Sequence, residues 1–134
     1  MKALMFKARA FEKSTRDPLK IQEKVLFEYL ERNRDTEYGR KYRFSDIKSI
    51  NDYQSFVPMS DCESLRPYIT RMTKGEDSVL TSDKPIFFGL TNGTTNHPKF
   101  IPVTKYSRDR KSEVSSLWAY YISRDHPEIR KCNT

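Results

Sequence analysis

Strand-forming sequence in this 134-residue chain is confined to residues 78–103, and it comes in short pieces. Ser78-Val79-Leu80-Thr81 is one candidate. Pro85-Ile86-Phe87-Phe88-Gly89-Leu90 is a second, apolar and aromatic enough to be buried, and Phe100-Ile101-Pro102-Val103 is a third. Nothing in residues 123–134 (SRDHPEIRKCNT) can return as a strand to pair with them. So little sheet does not hold itself together in water. The expectation is an α/β fold of which this chain is the front part.

Ahead of the strands the pattern is helical. Met1, Leu4, Met5, Ala8 and Phe11 fall at helical spacing among Lys2, Lys7, Arg9 and Lys13. The apolar stretch Ala3–Phe6 is shorter than the about 7–15 residues of a secretory signal, and Glu12 and Asp17 spoil the acid-poor pattern of a transit peptide. A helix laid on the body of the protein is expected, with no targeting signal. Asp17-Pro18 opens a second helix, since Asp caps and Pro fits the first turn. Its stripe is Ile21, Val25, Leu26, Tyr29 and Leu30, and its end falls near Asn33. A turn with a brief helix follows over residues 35–42, then a short helix opened by Asn51 and running through Phe56. Ser60 with Glu63 reads as a capping box for a helix toward Met72, which Pro67 should kink or restart. Thr104 can cap a last helix with Val114, Leu117, Trp118 and Tyr121 on one side. The order is therefore N-terminal helices, then the start of a sheet as a strand–loop–strand–helix unit, a partial domain.

Several classes of protein are excluded. The longest apolar run, Leu117–Ile122, is far short of the about 20 residues a membrane-spanning helix needs. Cys62 and Cys132 are the only cysteines and have no partners at metal-ligand spacing, so neither a disulfide scaffold nor a metal site is expected. With 36% hydrophobic and 13% aromatic residues the chain is too apolar for a disordered tail. A cytoplasmic protein is expected. Its formal charge of +7 divides as +5 over residues 1–50, −1 over 51–100 and +3 over 101–134. Such a balance suits nucleic acid, acidic membrane surfaces or phosphorylated ligands without choosing among them. No Gly-x-Ser-x-Gly element and no Cys/His pairing supports a hydrolase.

The loop Thr91-Asn92-Gly93-Thr94-Thr95-Asn96-His97-Pro98-Lys99 carries the strongest chemical signal. Gly93 lets backbone amides come close to an anion. Thr91, Thr94 and Thr95 add hydroxyl donors beside those amides, and Asn96 tolerates left-handed backbone. Lys99 adds a full positive charge at the loop's end. This is neither a G-x-x-x-x-G-K-(S/T) loop nor a dinucleotide fingerprint, since the chain has four glycines in all: Gly39, Gly75, Gly89 and Gly93. Read without further context, it is equally a Thr/Asn-rich surface turn.

The context is informative. The loop resembles the (S/T)-S-G-T-T-G-x-P-K phosphate loop of the adenylate-forming enzyme superfamily. From about Gln22 to Thr104 the chain is similar to the N-terminal region of the auxin-responsive acyl-acid–amido synthetases. The shared order is T-E-Y-G-R-K-Y (Thr36–Tyr42), R-P-Y-I-x-R-M (Arg66–Met72) and then the loop. That resemblance implies an ATP-dependent ligase that joins a carboxylic acid to an amino acid through an acyl-adenylate, with Mg²⁺ sharing the phosphate charge. It gives Thr91, Gly93, Thr94, Thr95 and Lys99 the role of holding the ATP phosphates, with Asn92 in the same set where the family usually has Ser. Asn96 stands where the family usually has Gly, which implies a weaker hold on ATP. His97 falls on a variable position and receives no role, and no catalytic residue is assigned.

Residues 1–134 are then the N-terminal part of an acyl-adenylate-forming domain whose remainder is expected as further polypeptide, and alone they are expected to be inactive. The acid and amino acid contacts belong to that remainder. The competing readings are a small basic module for nucleic acid or anionic surfaces, and an inactive remnant. Arg66, Arg71 and Lys74 read as solvated charges, and Tyr38, Tyr42, Tyr53 and Tyr68 as packing among short helices rather than stacking on bases. Trp118, Tyr120 and Tyr121 read as core, with the mouth of an acyl pocket as the sharper alternative.

Overall fold

A computed structural model of the chain describes residues 2–91 and 98–131. Among these, helices α1 (Lys2–Ser14), α2 (Pro18–Asn33), α3 (Glu37–Lys41), α4 (Ile50–Phe56) and α5 (Cys62–Thr73) precede strands β1 (Pro85–Thr91) and β2 (Lys99–Thr104). Helix α6 (Lys105–Asp125) follows, and single 3₁₀ turns occupy Phe44–Asp46 and Pro127–Lys131. The chain divides into two compact units, Met1–Ile21 with Ser107–Thr134, and Gln22–Tyr106.

In the first unit α1 lies on the later turns of α6. Ala8 is buried there, and the Tyr121 hydroxyl donates to its carbonyl at 3.2 Å while the Phe11 and Tyr121 rings meet at 6.4 Å. Lys7 pairs with Glu113 at 2.9 Å and Arg124 with Glu12 at 3.4 Å. Tyr121 is thus packed as the spacing predicted, whereas Val114 and Trp118 on the same helix are 67% and 69% exposed.

The second unit holds Leu30, Ile47, Met72 and Val79 in its core, with the buried hydroxyl of Thr36 among them. Thr36 caps α3. Its Oγ1 accepts from the Gly39 amide at 2.9 Å and donates to the Asn33 carbonyl at 2.7 Å. The freed amides of Glu37 and Tyr38 donate to the carbonyls of Ser78 (2.8 Å) and Val79 (3.0 Å). Those bonds correct one expectation: Ser78–Thr81 is not a strand. Its carbonyls serve a helix N-terminus instead of a ladder, and Ser78 takes a positive φ of 55° that breaks any extended run.

Two caps also differ from the sequence reading. Asp61, not Ser60, caps α5, accepting from the Ser64 amide at 2.8 Å while Ser64 Oγ accepts from the Asp61 amide at 3.0 Å. Ser60 instead meets the Tyr38 hydroxyl at 3.1 Å. Ser49, not Asn51, caps α4 through the Asp52 amide at 3.1 Å. In both cases a neighbouring short polar residue had equal claim and only backbone geometry decides. Helix α5 runs through Pro67 without a restart.

The sheet has two strands, β1 and β2, paired antiparallel from Phe87↔Val103 to Thr91↔Lys99, with a bulge between Pro85 and Phe87. Both ends of this hairpin are tied to α2. Arg32 pairs with Asp83 at 2.6 Å just ahead of β1, and the Ser82 amide donates to Asn33 Oδ1 at 3.0 Å. Beyond β2, Tyr106 packs edge-on to Tyr29 at 5.8 Å, lies under the Arg32 guanidinium at 4.2 Å and donates to Glu28.

Candidate functional site

The hairpin decides where the loop sits. Thr91 ends β1 and Lys99 begins β2, and the two face each other as the closing pair of the ladder. Directly opposed residues in an antiparallel pair carry their Cβ atoms within about 4.5–5.5 Å, so one hydroxyl and one ammonium stand together at the foot of the loop. Asn92, Gly93, Thr94 and Thr95, with Asn96 and His97, lie outside the described residues. Of the six predicted phosphate-binding residues the structure therefore places two, and it brings them together.

Beneath them is a cavity of about 280 Å³ between α5 and the hairpin. Leu65, Ile69, Phe100 and Ile101 make its apolar wall, while Arg66 and Lys99 bring the positive charge. Arg66 is already engaged, with Nε on Glu63 Oε2 at 2.9 Å and Nη2 on Oε1 at 2.6 Å. Among the described residues Lys99 has no ion pair and no carboxylate lines the cavity. Such a lining suits an anion and, among the described residues, offers Mg²⁺ threonine hydroxyls but no carboxylate, so a metal there would be held mainly by the phosphates themselves. Among the described residues no cluster of three or more His, Cys, Asp or Glu could hold a metal, and none of their helices is long and apolar enough to cross a membrane.

The two family-like elements upstream prove to be supports for this hairpin. Arg71, in R-P-Y-I-x-R-M, is more than a solvated charge. Its guanidinium reaches Glu37 of T-E-Y-G-R-K-Y through Nη1 (3.0 Å) and Nη2 (2.5 Å), and Glu76 through Nε (2.7 Å) and Nη2. This joins α5, α3 and the segment leading to β1. Arg71 holds both carboxyls below their ordinary range, chiefly by hydrogen bonding, and its own pKa is raised in return. Three of the four tyrosines pack as expected: Tyr38 lies 4.5 Å from Tyr42 and 5.5 Å from Tyr68, and Lys41 donates to the Tyr68 hydroxyl at 2.7 Å. Sequence reasoning missed the wall residues Leu65 and Ile69. Their spacing of four was the available signal, but it reads equally as ordinary core.

The bridge predicts an acid response. Because Glu37 and Glu76 give up their protons more readily when folded, their contribution is complete above the ordinary carboxyl value of 4.5 and is lost as pH falls below it. Arg71→Gln is expected to lower the urea midpoint at pH 7 and to converge with the unmodified chain near pH 2–3. Parallel midpoint curves across that range would show that the bridge contributes nothing.

Comparisons with known proteins bear on the fold and the family. The family model described as the GH3 family N-terminal domain matches residues 7–133. Indole-3-acetic acid-amido synthetase GH3.2 of Arabidopsis thaliana is 35% identical over 119 residues, covering 87% of this chain and 21% of the relative. Jasmonoyl–L-amino acid synthetase JAR4 of Nicotiana attenuata is 30% identical over 121 residues, covering 89% of this chain and 21% of the relative. The solved structure of the Arabidopsis GH3.15 acyl acid amido synthetase in complex with 2,4-DB superposes with a TM-score of 0.72 at 29% identity, over 78% of this chain and 19% of that one. The chain thus spans about a fifth of the length of these relatives. With its three sequence elements in the family's order and its fold superposing on the N-terminal part of a solved member, the chain belongs to the GH3 family of acyl-acid amido synthetases.

Proposed function

We propose that this chain supplies the ATP phosphate loop of a cytoplasmic acyl-acid–amido synthetase, which joins a carboxylic acid to an amino acid, and that residues 1–134 are the N-terminal part of its adenylate-forming domain. The observation that carries the reading is the closing pair Thr91↔Lys99 at the foot of a Thr- and Gly-bearing loop, above a cavity with no acidic lining. In this reading Thr91, Asn92, Gly93, Thr94 and Thr95 donate to phosphate oxygens, and Lys99 offsets the charge that gathers on the leaving pyrophosphate. Mg²⁺ arrives with the nucleotide. The acid and the amine are bound elsewhere in the complete protein, so the chain alone does not complete the reaction.

Calorimetric titration with Mg·ATP tests this. The purified chain is expected to bind ATP, and Gly93→Val, which puts a branched side chain where the amides must approach, is expected to weaken binding by at least about tenfold. Duplex DNA is expected to bind negligibly at physiological salt. Binding to DNA with a steep salt slope, indifferent to Gly93→Val, would overturn the proposal in favour of a basic nucleic-acid module. Acid-dependent release of pyrophosphate by the chain alone would overturn its second half.

A further inference from the structure

The two ends of the hairpin keep different registers. From Phe87↔Val103 to Thr91↔Lys99 the ladder is regular, but Pro85 pairs with Thr104, which makes Ile86 the extra residue of a bulge in β1. Carried two residues outward, the register of Pro85 and Thr104 sets Asp83 against Tyr106, whereas the register of the loop end would set Asp83 against Ser107. Arg32 of α2 grips the first of these pairs. Its Nη2 donates to Asp83 Oδ2 at 2.6 Å, and its guanidinium lies 4.2 Å from the centre of the Tyr106 ring. One turn earlier on α2, Glu28 accepts from the Tyr106 hydroxyl and Tyr29 meets the ring edge-on. Packing along the strands does not impose the offset, because register is strongly specified only where one face of a strand is buried. Phe87 and Leu90, on opposite faces of β1, are 53% and 63% exposed, and Phe100 and Ile101, on opposite faces of β2, are 44% and 49% exposed.

We infer that Arg32 is a positioning residue of the loop: by clamping Asp83 and Tyr106 it keeps the bulge in β1, and so fixes how the hairpin presents Thr91 and Lys99 above the cavity. The inference rests on the reading of residues 91–99 as a phosphate loop. A bulge bends the strand that carries it and increases its right-handed twist. With the clamp released, Ile86 pairs with Thr104, the ladder runs regular to its open end and the hairpin flattens. Thr91 and Lys99 still face each other, but they stand differently against α5. The clamp suits geometry better than stability. Arg32 and Asp83 are 37% and 34% exposed, and an ion pair so open to solvent adds little to folding. One guanidinium on both strand ends nevertheless ties their offset together, which two independent contacts would not do.

The test reads register and nucleotide separately. In a Cys62→Ser, Cys132→Ser background, Ile86→Cys with Thr104→Cys closes a disulfide where the bulge is lost, and Leu90→Cys with Phe100→Cys closes one wherever the loop end is paired. Adding Arg32→Met is expected to raise the first yield several-fold and to leave the second unchanged. In the chain with its cysteines intact, Arg32→Met is expected to weaken Mg·ATP binding by about tenfold in calorimetry. Its thermal midpoint should stay within about 3 °C of the parent. Arg32→Lys keeps a cation between Asp83 and the Tyr106 ring and should restore most of the affinity. Equal crosslinking between positions 86 and 104 with and without Arg32 would overturn the inference. Loss of the crosslink between positions 90 and 100 would overturn it too, by making Arg32 a support of the whole hairpin. Unchanged ATP affinity in Arg32→Met counts against it in the same way where Gly93→Val weakens binding. Where Gly93→Val has no effect, the phosphate-loop reading fails instead, and the crosslink yields alone decide what Arg32 holds.

Discussion

Replacing Gly39 by alanine is expected to cost about 3 kcal/mol and to lower the melting midpoint by roughly 10 °C, the opposite of what helix propensity gives. In an ordinary helix Gly→Ala is worth about 1 kcal/mol of added stability. Here a Cβ would lie 2.1 Å from the Asn33 carbonyl oxygen and 2.9 Å from that of Arg34. Both obstacles are backbone, so no side chain can rotate out of the way. Helix α3 would have to back off from the end of α2, which breaks the two bonds of the buried Thr36 hydroxyl and draws the amides of Glu37 and Tyr38 away from Ser78 and Val79. The segment leading to β1 would then be held by Arg71 on Glu76, Arg32 on Asp83 and the Ser82–Asn33 bond. Circular dichroism melts of the two proteins decide it. A variant as stable as the parent would mean that α3 does not press on the end of α2.

The same residues show how far sequence reading carries. T-E-Y-G-R-K-Y is legible as a family element, yet its reason is not, because Gly39 has no positive φ and no turn requires it. Its need comes from two carbonyls outside α3, a close approach that no periodicity encodes. Helix α2 was legible to its ends because Asp17-Pro18 and a regular stripe mark them, and the hairpin strands were legible from their β-branched and aromatic runs. Ser78–Thr81 misled for the converse reason: Val79 is buried like a strand residue, but its carbonyl satisfies a helix N-terminus. Caps slipped by one or two residues wherever Ser, Asp and Asn adjoin, since each can accept the same amide.

Of the candidate site, the sequence named two polar members that the structure places together, and none of the walls. Thr91 and Lys99 were identified from the loop, and antiparallel pairing turns their separation of eight in sequence into a facing pair. The sequence sets Lys99 apart as the loop's charge and leaves Arg66 among the solvated cations. The fold adds that Arg66 is neutralised by Glu63, while Lys99 faces the loop's foot without an ion pair among the described residues.

That difference gives the second large effect. Lys99→Ala is expected to weaken ATP binding by roughly 10–100-fold, the loss of one charge-assisted contact to phosphate, while Arg66→Ala stays within about threefold of the parent. Both side chains line one cavity and carry the same formal charge, so a general electrostatic pull on the nucleotide would make the two substitutions equivalent. A fixed ammonium at the end of the proposed phosphate loop would not. Lys99→Arg should recover much of the affinity, because β2 holds the position and the guanidinium keeps the charge. Raising salt should weaken the parent more than Lys99→Ala, since the contact removed is the one that salt screens. Equal losses at Arg66 and Lys99 would reduce the loop's charge to a diffuse field. Loss at Lys99 alone, rescued by arginine, ties the nucleotide to the strand that ends the loop.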